Sequence, residues 1–471
     1  MIGIAAGIVV LLAGCFGFWG MLVAIIAAIV ATIRFGRNTL ILIPLALMSF
    51  WWVDRAMPPT PPASLSEQGG WQLEVTSMPL SRVRGFIFDA KILNGDATGQ
   101  TVWVMALGDA PVVLGDRIYG AGSFKPNAEL DDGFGNYVAS RGASGELVLG
   151  WQTVDESGTG PFAWLDRQRQ QALARLQNAI PGDAGVLLSG LVTGDDGRLS
   201  DEADDAFKRA GLSHLTAVSG ANLSAITAMV LAVGAWTGRR RMTWLLVATA
   251  AAWTYALAVG LSPPTLRAAL VATGATGGRL AGRPVDLLTI TLLSGAAQIL
   301  LRPTDAISIS FQLSMMASLG IAASLNRYPP TERRGFLADA LLATLYAQIA
   351  TLPLIVWAFR DLPVLGLFAN IVAAPLAEIA FPIGVAGALI LSVAPVVGTA
   401  LLIPAAIACD WLMLVARIYG EEWAAVQAPS SGIWMLISGL IVSISLLLLA
   451  GNEAQLLLRR VRNAPPRGQN P

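Results

Sequence analysis

Long apolar segments fill the second half of the chain, and they limit its possible folds more than any other feature. Between residues 212 and 451, hydrophobic runs are separated only by short polar or basic loops. About 20 predominantly apolar residues are enough for a helix to cross the hydrocarbon core of a bilayer. Over the whole chain 13% of residues are charged, compared with about 25% in soluble proteins. The sequence therefore predicts a multispanning membrane protein.

We expect a polytopic α-helical fold of about twelve spans. We expect residues 1–53 to form an N-terminal transmembrane anchor with about three of these spans. A transmembrane domain, residues 212–451, supplies the others, and a basic tail, residues 452–471, follows. The candidate spans of this domain are 212–237, 243–260, 264–280, 285–301, 305–325, 336–358, 363–391, 397–417 and 432–451.

Residues 54–160 have a different pattern, which is typical of strands. Five short segments rich in Val, Ile, Phe and Trp alternate with turns, and Asn94-Gly95 is a hairpin signal. Such a series predicts a small inserted β-barrel, and the oligonucleotide-binding type is one member of that group. The predicted strands are 71–76, 85–93, 101–107, 117–121 and 146–154.

Two amphipathic helices are predicted in residues 161–211, between the barrel and the membrane domain. The first, 165–180, places Arg167, Arg169 and Arg175 opposite its apolar face. The second begins after an N-cap at Ser200, with acidic residues in its first turn and basic residues in its last. The acidic first turn and the basic last turn both complement the helix dipole, and Ser200 caps the start. This helix is therefore expected to end near Gly211.

Basic residues predict the orientation, because cytoplasmic loops are enriched in Lys and Arg. Alternating the spans puts fourteen arginines on one side and three on the other. The predicted location is the cytoplasmic membrane, with the barrel external and the C-terminus cytoplasmic. The fourteen are Arg34, Arg37, Arg239, Arg240, Arg241, Arg279, Arg283, Arg327, Arg333, Arg334, Arg459, Arg460, Arg462 and Arg467, and the three are Arg302, Arg360 and Arg417.

Residue types that support catalysis are scarce. His214 is the single histidine, and the two cysteines lie in apolar runs, which excludes a zinc site with several imidazoles. The sequence also contains no GxxxxGK[ST] phosphate loop. We therefore expect no cofactor, no metal and no enzymatic activity in this chain.

Several polar side chains lie in the predicted membrane segments. His214, Ser219 and Asn222 follow one another at the start of the first span of the main domain. Polar groups at this depth need partners inside the protein or a wet cavity. They are candidate lining residues of a path, although close packing of small residues, or an interfacial position for His214, would also satisfy the pattern.

An anion-binding element is predicted where Pro263 opens a helix and Arg267 follows one turn later. A helix N-terminus beside a guanidinium favours a phosphate group. An arginine that extends to the outer lipid headgroups is the alternative.

Three buried amides and one acid complete the candidate set. Gln312, Gln348 and Asn370 are candidate lining residues, or else interhelical hydrogen-bonding groups. Glu378 lies in an apolar helix and must be paired, protonated or wetted, so we assign it as a gating or structural acid, with Arg267 as a possible partner.

Five segments in order resemble the ComEC competence family. They are GVLLSGLVTGDD (185–196), GLSHLTAVSGANL (211–223), GLSPPTLRAAL (260–270), SFQLSMMASLGI (310–321) and AQIATLPLIVWAFRDLPVLGLFANIVAAPL (347–376). The resemblance implies a DNA-internalisation channel with an external barrel of oligonucleotide-binding type. Asn222 stands where the family usually has histidine, and the sequence lacks the metallo-β-lactamase-like domain of many relatives.

The resemblance also implies partners: single-stranded DNA, the lipid bilayer, an external DNA-receptor protein, a cytoplasmic DNA-translocating motor and a separate nuclease. The barrel segment fits DNA poorly, because thirteen acidic residues and seven basic ones give a net charge of −6, whereas single-strand binding needs a positive groove with stacking aromatics. Arg82, Arg84 and Phe86 are the candidate DNA contacts on it.

The leading function is thus a channel for single-stranded DNA uptake during natural transformation. The alternative is a secondary transporter of a small or lipid-linked substrate, with Glu378 as its proton site.

Overall fold

A computed structural model of the chain describes residues 42–427, apart from short gaps, together with isolated positions near the N-terminus. The gaps are 63–64, 66–68, 109–110, 196, 198, 217, 238–240, 284–285, 328–334, 360, 364 and 422–424, and the isolated positions are 8, 10, 11, 14, 15, 20–22, 24 and 25. The predicted last span, the basic tail and most of the N-terminal anchor therefore lie outside the described residues.

Five strands close into a barrel, as the sequence predicts. Their order is β1-β5-β6-β4-β3, and β3 pairs again with β1 to complete the closure. All neighbouring pairs are antiparallel except β4 with β6. A short strand, β2, forms a hairpin with β3 outside the closed set. The strands are β1 (Gly70–Val75), β2 (Leu80–Arg82), β3 (Gly85–Ile92), β4 (Thr101–Leu107), β5 (Arg117–Pro126) and β6 (Gly145–Glu156).

Alternating apolar residues fill the barrel. On β1, Trp71, Leu73 and Val75 are buried, whereas Gln72 between them is exposed. The first part of β6 shows the same period of two, whereas seven of the eight β3 residues are buried. Alternation of this kind makes β1 and β6 readable from the sequence. Asn94 ties the β3–β4 loop to β1, because its side chain accepts a hydrogen bond from the Gln72 N–H (3.0 Å).

A helix that the sequence pattern does not predict, α2 (Asp132–Ser140), covers the outer face of β3 and β4. Phe134 of α2 meets the ring of Trp103 edge to face at 5.2 Å between centroids. Gly133 and Gly135 lower the helix propensity of this segment, so packing against the barrel stabilises it. A 3-10 turn, Asn127–Glu129, precedes it.

Three helices, not two, connect the barrel to the membrane domain. They are α3 (Pro161–Ala179), α4 (Asp183–Thr193) and α5 (Asp201–Arg209). The prediction for α5 is confirmed, since Ser200 accepts a hydrogen bond from the Ala203 N–H and so caps the helix. The prediction omitted α4, which is apolar on every side and is buried for that reason.

The membrane domain contains nine further helices among the described residues, and each candidate span between 212 and 417 contains one. Two segments, Phe368–Leu391 and Pro395–Tyr419, are long and apolar enough to cross a bilayer by length and composition. The predicted span 212–237 divides into a short α6 and a longer α7. The helices are α6 (Ser213–Thr216), α7 (Gly220–Trp236), α8 (Arg241–Ala258), α9 (Pro263–Leu280), α10 (Leu287–Leu301), α11 (Ile309–Arg327), α12 (Gly335–Phe359), α13 (Gly366–Leu391) and α14 (Pro395–Tyr419).

Other short elements complete the described chain. Helix α1 (Leu42–Arg55) precedes the barrel, and the Trp52 indole N–H donates to the Leu300 carbonyl oxygen (3.2 Å) at the end of α10. A 3-10 turn (Pro303–Ile307) follows α10. Strands β7 (Asp361–Pro363) and β8 (Ala425–Gln427) form an antiparallel pair between loops that follow α12 and α14.

Small residues let the last two described helices approach closely. A row of alanines and one glycine on α13 faces the apolar side chains of α14 in one core, and α4 packs against the same helices. At Gly387 an added Cβ would collide with the Leu402 side chain. Such small residues are the usual means of close helix packing in membranes. The row is Ala373, Ala377, Ala380 and Gly387, whereas Gly384 faces Leu188 and Val192 of α4.

We predict that Gly320→Ala destabilises the contact between α11 and α12. A Cβ on Gly320 would lie 2.5 Å from the Tyr346 carbonyl oxygen, a backbone atom that does not yield easily. Overpacking of this kind costs about 1–3 kcal/mol, which a lower thermal unfolding temperature of the purified protein would report. Gly277→Ala is the control, because no neighbouring heavy atom lies within 4 Å of its added Cβ. Equal unfolding temperatures for the two variants would contradict the prediction.

Candidate functional site

Arg267 lies in the first turns of α9 and is almost completely buried. Pro263 occupies the first helical turn after Ser262, where the missing N–H of proline costs nothing. The Arg267 side chain then extends to α11. Its Nε donates to the Ser314 hydroxyl oxygen (3.2 Å), Nη2 donates to the same oxygen, and Nη1 donates to the Ser318 hydroxyl oxygen (2.6 Å). Arg267 is 7% exposed.

The partners of Arg267 are neutral. Among the ion pairs of the described residues, none includes Arg267, so no described carboxylate oxygen lies within 4.0 Å of it. Glu378, the partner considered from the sequence, is exposed on α13. A buried arginine normally has an acidic partner, since an uncompensated charge away from water is costly. No described carboxylate therefore neutralises the charge of this guanidinium.

The amino end of α7 faces the same guanidinium. A Cβ on Gly220 would lie 3.8 Å from Arg267 Nη2 and 4.0 Å from the Pro264 carbonyl oxygen. The side chain of Ser219, the residue before α7, caps no backbone N–H, and its hydroxyl donates to Asn222 Oδ1 (3.2 Å). The positive end of a helix dipole and a buried cation thus meet, and both attract an anion.

Asn222 and an unpredicted tyrosine hold the end of α4 beside this region. The Asn222 amide donates to the Leu191 carbonyl oxygen (3.1 Å), and the Tyr255 hydroxyl donates to the Val192 carbonyl oxygen (3.1 Å). The last carbonyls of a helix lack partners within the helix, so these side chains satisfy them. The sequence could have indicated Tyr255, because an aromatic residue with a polar hydroxyl inside an apolar span usually needs a hydrogen-bond partner.

The other predicted lining residues lie elsewhere in the membrane domain. Gln312 donates to the Ala306 carbonyl oxygen (3.0 Å), and Gln348 and Asn370 both donate to the Gly366 carbonyl oxygen (3.3 and 2.8 Å). His214 is exposed on α6. Gln348 thus joins α12 to the start of α13, Asn370 bonds within α13, and Gln312 bonds to the turn before α11.

A second polar group supports the start of α9. The Gln298 amide donates to the Pro263 carbonyl oxygen (3.1 Å) and to Asp305 Oδ2 (2.7 Å), and Arg302 donates to the Leu261 carbonyl oxygen (2.6 Å). Leu261 has a positive φ of 52°, which is a costly conformation for a side chain of this size. The hydrogen bonds around the 261–263 turn hold it in this geometry.

The predicted barrel contacts have three different environments. Arg84 is exposed, and Arg82 is half-buried with Nη1 donating to its neighbour's carbonyl oxygen, at Ser81 (2.9 Å). Phe86 is 8% exposed within the barrel core. A ring packed in a core has no free face on which a base can stack, so the expectation of a stacking edge at Phe86 is wrong in this structure.

A buried ion cluster joins the β2 hairpin to α3 and α4. Arg169 forms an ion pair with Asp166 (2.9 Å), lies 3.7 Å from Asp195 Oδ2, and donates to the Pro79 carbonyl oxygen (2.5 Å). Asp195 in turn accepts from the Ser81 N–H and hydroxyl (3.0 Å each). The exposures of Asp166, Arg169 and Asp195 are 0%, 5% and 2%. The sequence pattern wrongly placed Arg169 on a solvent face of the first amphipathic helix.

The Asp166 carboxyl shows how costly this burial is. Removal from water raises the pKa of Asp166, although Arg169 and the Leu114 N–H (2.9 Å) act in the opposite direction. A raised carboxyl pKa means that Asp166 itself favours the folded state most below its ordinary pKa, and that this contribution is lost as the pH rises. Arg169 therefore offsets part of the cost of burying this carboxylate at neutral pH.

The fold and these contacts define a class: a mostly helical protein with a barrel docked on its helices and, at a helix amino end, a buried arginine that has no ion-pair partner among the described residues. Two of its helices are long and apolar enough to cross a membrane. The sequence model of the competence protein family matches residues 191–452, more than half of the chain. The chain belongs to this family, and its resemblance to ComEC-type proteins is confirmed.

One relative extends the comparison. The chain is 25% identical over 225 residues to ComE operon protein 3 of Bacillus subtilis (strain 168). The match covers 48% of this chain and 29% of the relative. No solved structure matches the chain.

We predict that Arg169→Met loosens the barrel from α3 and α4. The change leaves Asp166 and Asp195 buried without a cation, which costs about 3–5 kcal/mol. The Ser81 N–H, bonded to Asp195 (3.0 Å), should exchange with deuterium much faster, as hydrogen exchange with mass spectrometry on residues 77–83 would report. Arg175→Met is the control, because Arg175 is exposed on the same helix. Unchanged exchange in the Arg169 variant would show that the cluster does not hold the barrel.

Proposed function

We propose that the chain is the transmembrane subunit through which single-stranded DNA enters the cell across the cytoplasmic membrane during natural transformation. Membership of the competence family supports a role in DNA uptake. Single-stranded DNA carries a phosphate charge at every nucleotide, so its passage through a helical domain needs fixed positive charge on the path. The proposed localisation is multi-pass in that membrane, with about twelve spans.

The observation that carries this proposal is the uncompensated charge of Arg267. Its neutral hydrogen-bonding partners and the uncapped amino end of α7 leave positive potential inside the helical domain. A transporter that binds a cation would instead need converging acids, and the two groups that face each other here are both positive. A phosphate of the DNA backbone is the ligand that this electrostatic environment favours.

Contacts at one end of the helices support the proposed orientation. Met78 of the barrel packs near Gly260, helix α2 contacts the 303–307 turn, and Arg209 donates to the Gly420 carbonyl oxygen. Alternating the spans puts these three loops on one side, opposite the side with fourteen arginines. An external barrel and a cytoplasmic C-terminus agree with both observations.

The barrel is proposed to be of oligonucleotide-binding type, with five strands in a closed set. Its net charge of −6 and the buried Phe86 argue against strong DNA binding by the barrel alone. Arg84 is exposed and remains the best candidate contact on the β2–β3 hairpin, with Arg82 beside it. The barrel would then guide a strand that partners deliver.

Other components are proposed to complete the process. An external DNA-receptor protein supplies the substrate, a cytoplasmic motor supplies the energy, and a separate protein degrades the second strand. Within this chain His214, Ser219, Asn222, Gln312, Gln348 and Asn370 line or brace the path, and Glu378 acts as a gating or structural acid. Its negative charge makes it unsuitable as a DNA contact.

We predict that Arg267→Gln lowers uptake of labelled DNA by at least tenfold in cells that otherwise lack this protein. The glutamine keeps a hydrogen-bonding group but removes the charge that would meet the phosphates. The measurement is protected intracellular label, normalised to the amount of protein in the membrane fraction. Arg279→Gln is the matched control, since Arg279 is exposed in the last turn of the same helix.

Uptake at the wild-type rate by the Arg267 variant would reject the proposed phosphate contact. Normal DNA uptake in cells without the protein would reject the transport function as a whole.

A further inference from the structure

We propose that Ser314 and Ser318 are positioning residues that aim the Arg267 guanidinium at one phosphate group beside the amino end of α7. This inference rests on the proposed function, and it adds two residues on α11 that the sequence pattern did not single out as phosphate-site residues. Their spacing of four residues places both hydroxyls on one face of that helix.

The hydrogen bonds fix the plane of the guanidinium. One oxygen, Ser314 Oγ, accepts from both Nε and Nη2, and Ser318 Oγ accepts from Nη1. A guanidinium has five N–H groups. These three bonds leave one N–H on each terminal nitrogen, and two such groups are what a bidentate contact with a phosphate requires.

Ser314 and Ser318 hold the Arg267 guanidinium with hydroxyl groups, which do not neutralise its charge. A carboxylate at position 314 would hold the guanidinium equally well but would neutralise it, whereas serine holds it and leaves the charge available. The nearest helix end increases the same potential, because Gly220 begins α7 without a side-chain cap and a Cβ added to it would lie 3.8 Å from Nη2. A bound phosphate would relieve the repulsion between these two positive groups.

A set of variants at one position separates positioning from a merely structural role. Ser314→Thr keeps the hydroxyl, Ser314→Ala removes it, and Ser314→Asp keeps an acceptor but cancels the charge. Ser310→Ala is the matched control, since Ser310 is exposed one turn earlier on α11. Thermal unfolding of each purified variant identifies any that does not fold.

The experiment measures binding of a fluorescent oligothymidine to the full chain in phosphatidylcholine nanodiscs, with inorganic phosphate as competitor. We expect at least tenfold weaker binding for the Ala and Asp variants, and binding within twofold of wild type for the Thr variant and for Ser310→Ala. The decisive variant is Ser314→Ala, because it removes the hydroxyl without adding charge, whereas the carboxylate of Ser314→Asp repels phosphate in addition to losing the serine.

The outcomes distinguish the two proposals. If Ser314→Ala binds normally while Arg267→Gln does not, the positioning role is wrong and the phosphate contact stands. If Arg267→Gln also binds normally, the phosphate contact in the proposed function is wrong as well. If replacing phosphatidylcholine with phosphatidylglycerol displaces the oligonucleotide from wild type but not from Arg267→Gln, the site binds lipid headgroups, and the DNA assignment is overturned.

Discussion

The cost of removing charge from water governs both polar sites of this protein. Each buried ion loses several kcal/mol of solvation free energy. In this protein, interactions with neighbouring groups offset that loss in two different ways. Around Arg169, two carboxylates surround one guanidinium and fix the barrel to the helices. Around Arg267, two hydroxyls accept three of the five hydrogen bonds that the guanidinium can donate, and they do not neutralise its charge. The first arrangement suits a permanent contact within the protein, and the second suits a ligand that arrives with negative charge.

Local chemistry explains which elements the sequence predicts well. Strand β1 and the first part of β6 alternate between more and less buried residues with a period of two. Helix α5 has a capping serine, acids at its start and basic residues at its end. Each of these signals is readable within about ten residues of chain. Helices α2 and α4 are not readable in this way. The glycines of α2 weaken its local signal, and α4 is apolar on every side. Tertiary packing stabilises both, and a single sequence does not reveal it.

The residues of the candidate site also differ in how well the sequence predicts them. Arg267 stands out in the sequence because an arginine inside an apolar span is rare. Its partners do not stand out, because serines are common in membrane helices and nothing in the sequence tells which helices touch. Arg169 is the opposite case, since helical periodicity assigns it to solvent while residues from distant segments, Pro79 and Asp195, enclose it. Periodicity describes one helix, whereas burial depends on what covers it.

The charge of the barrel limits how this protein can act on DNA. A domain with a net charge of −6 repels a polyanion at long range, and salt in the medium screens that repulsion beyond roughly 10 Å. Attraction must then begin within a short distance of fixed positive groups, and Arg267 is such a group in the helical domain. The Arg169 cluster keeps the barrel against α3 and α4, so under the proposed function a strand guided past the barrel is already close to the helical domain. Docking of the barrel and the position of the buried charge are therefore parts of one arrangement.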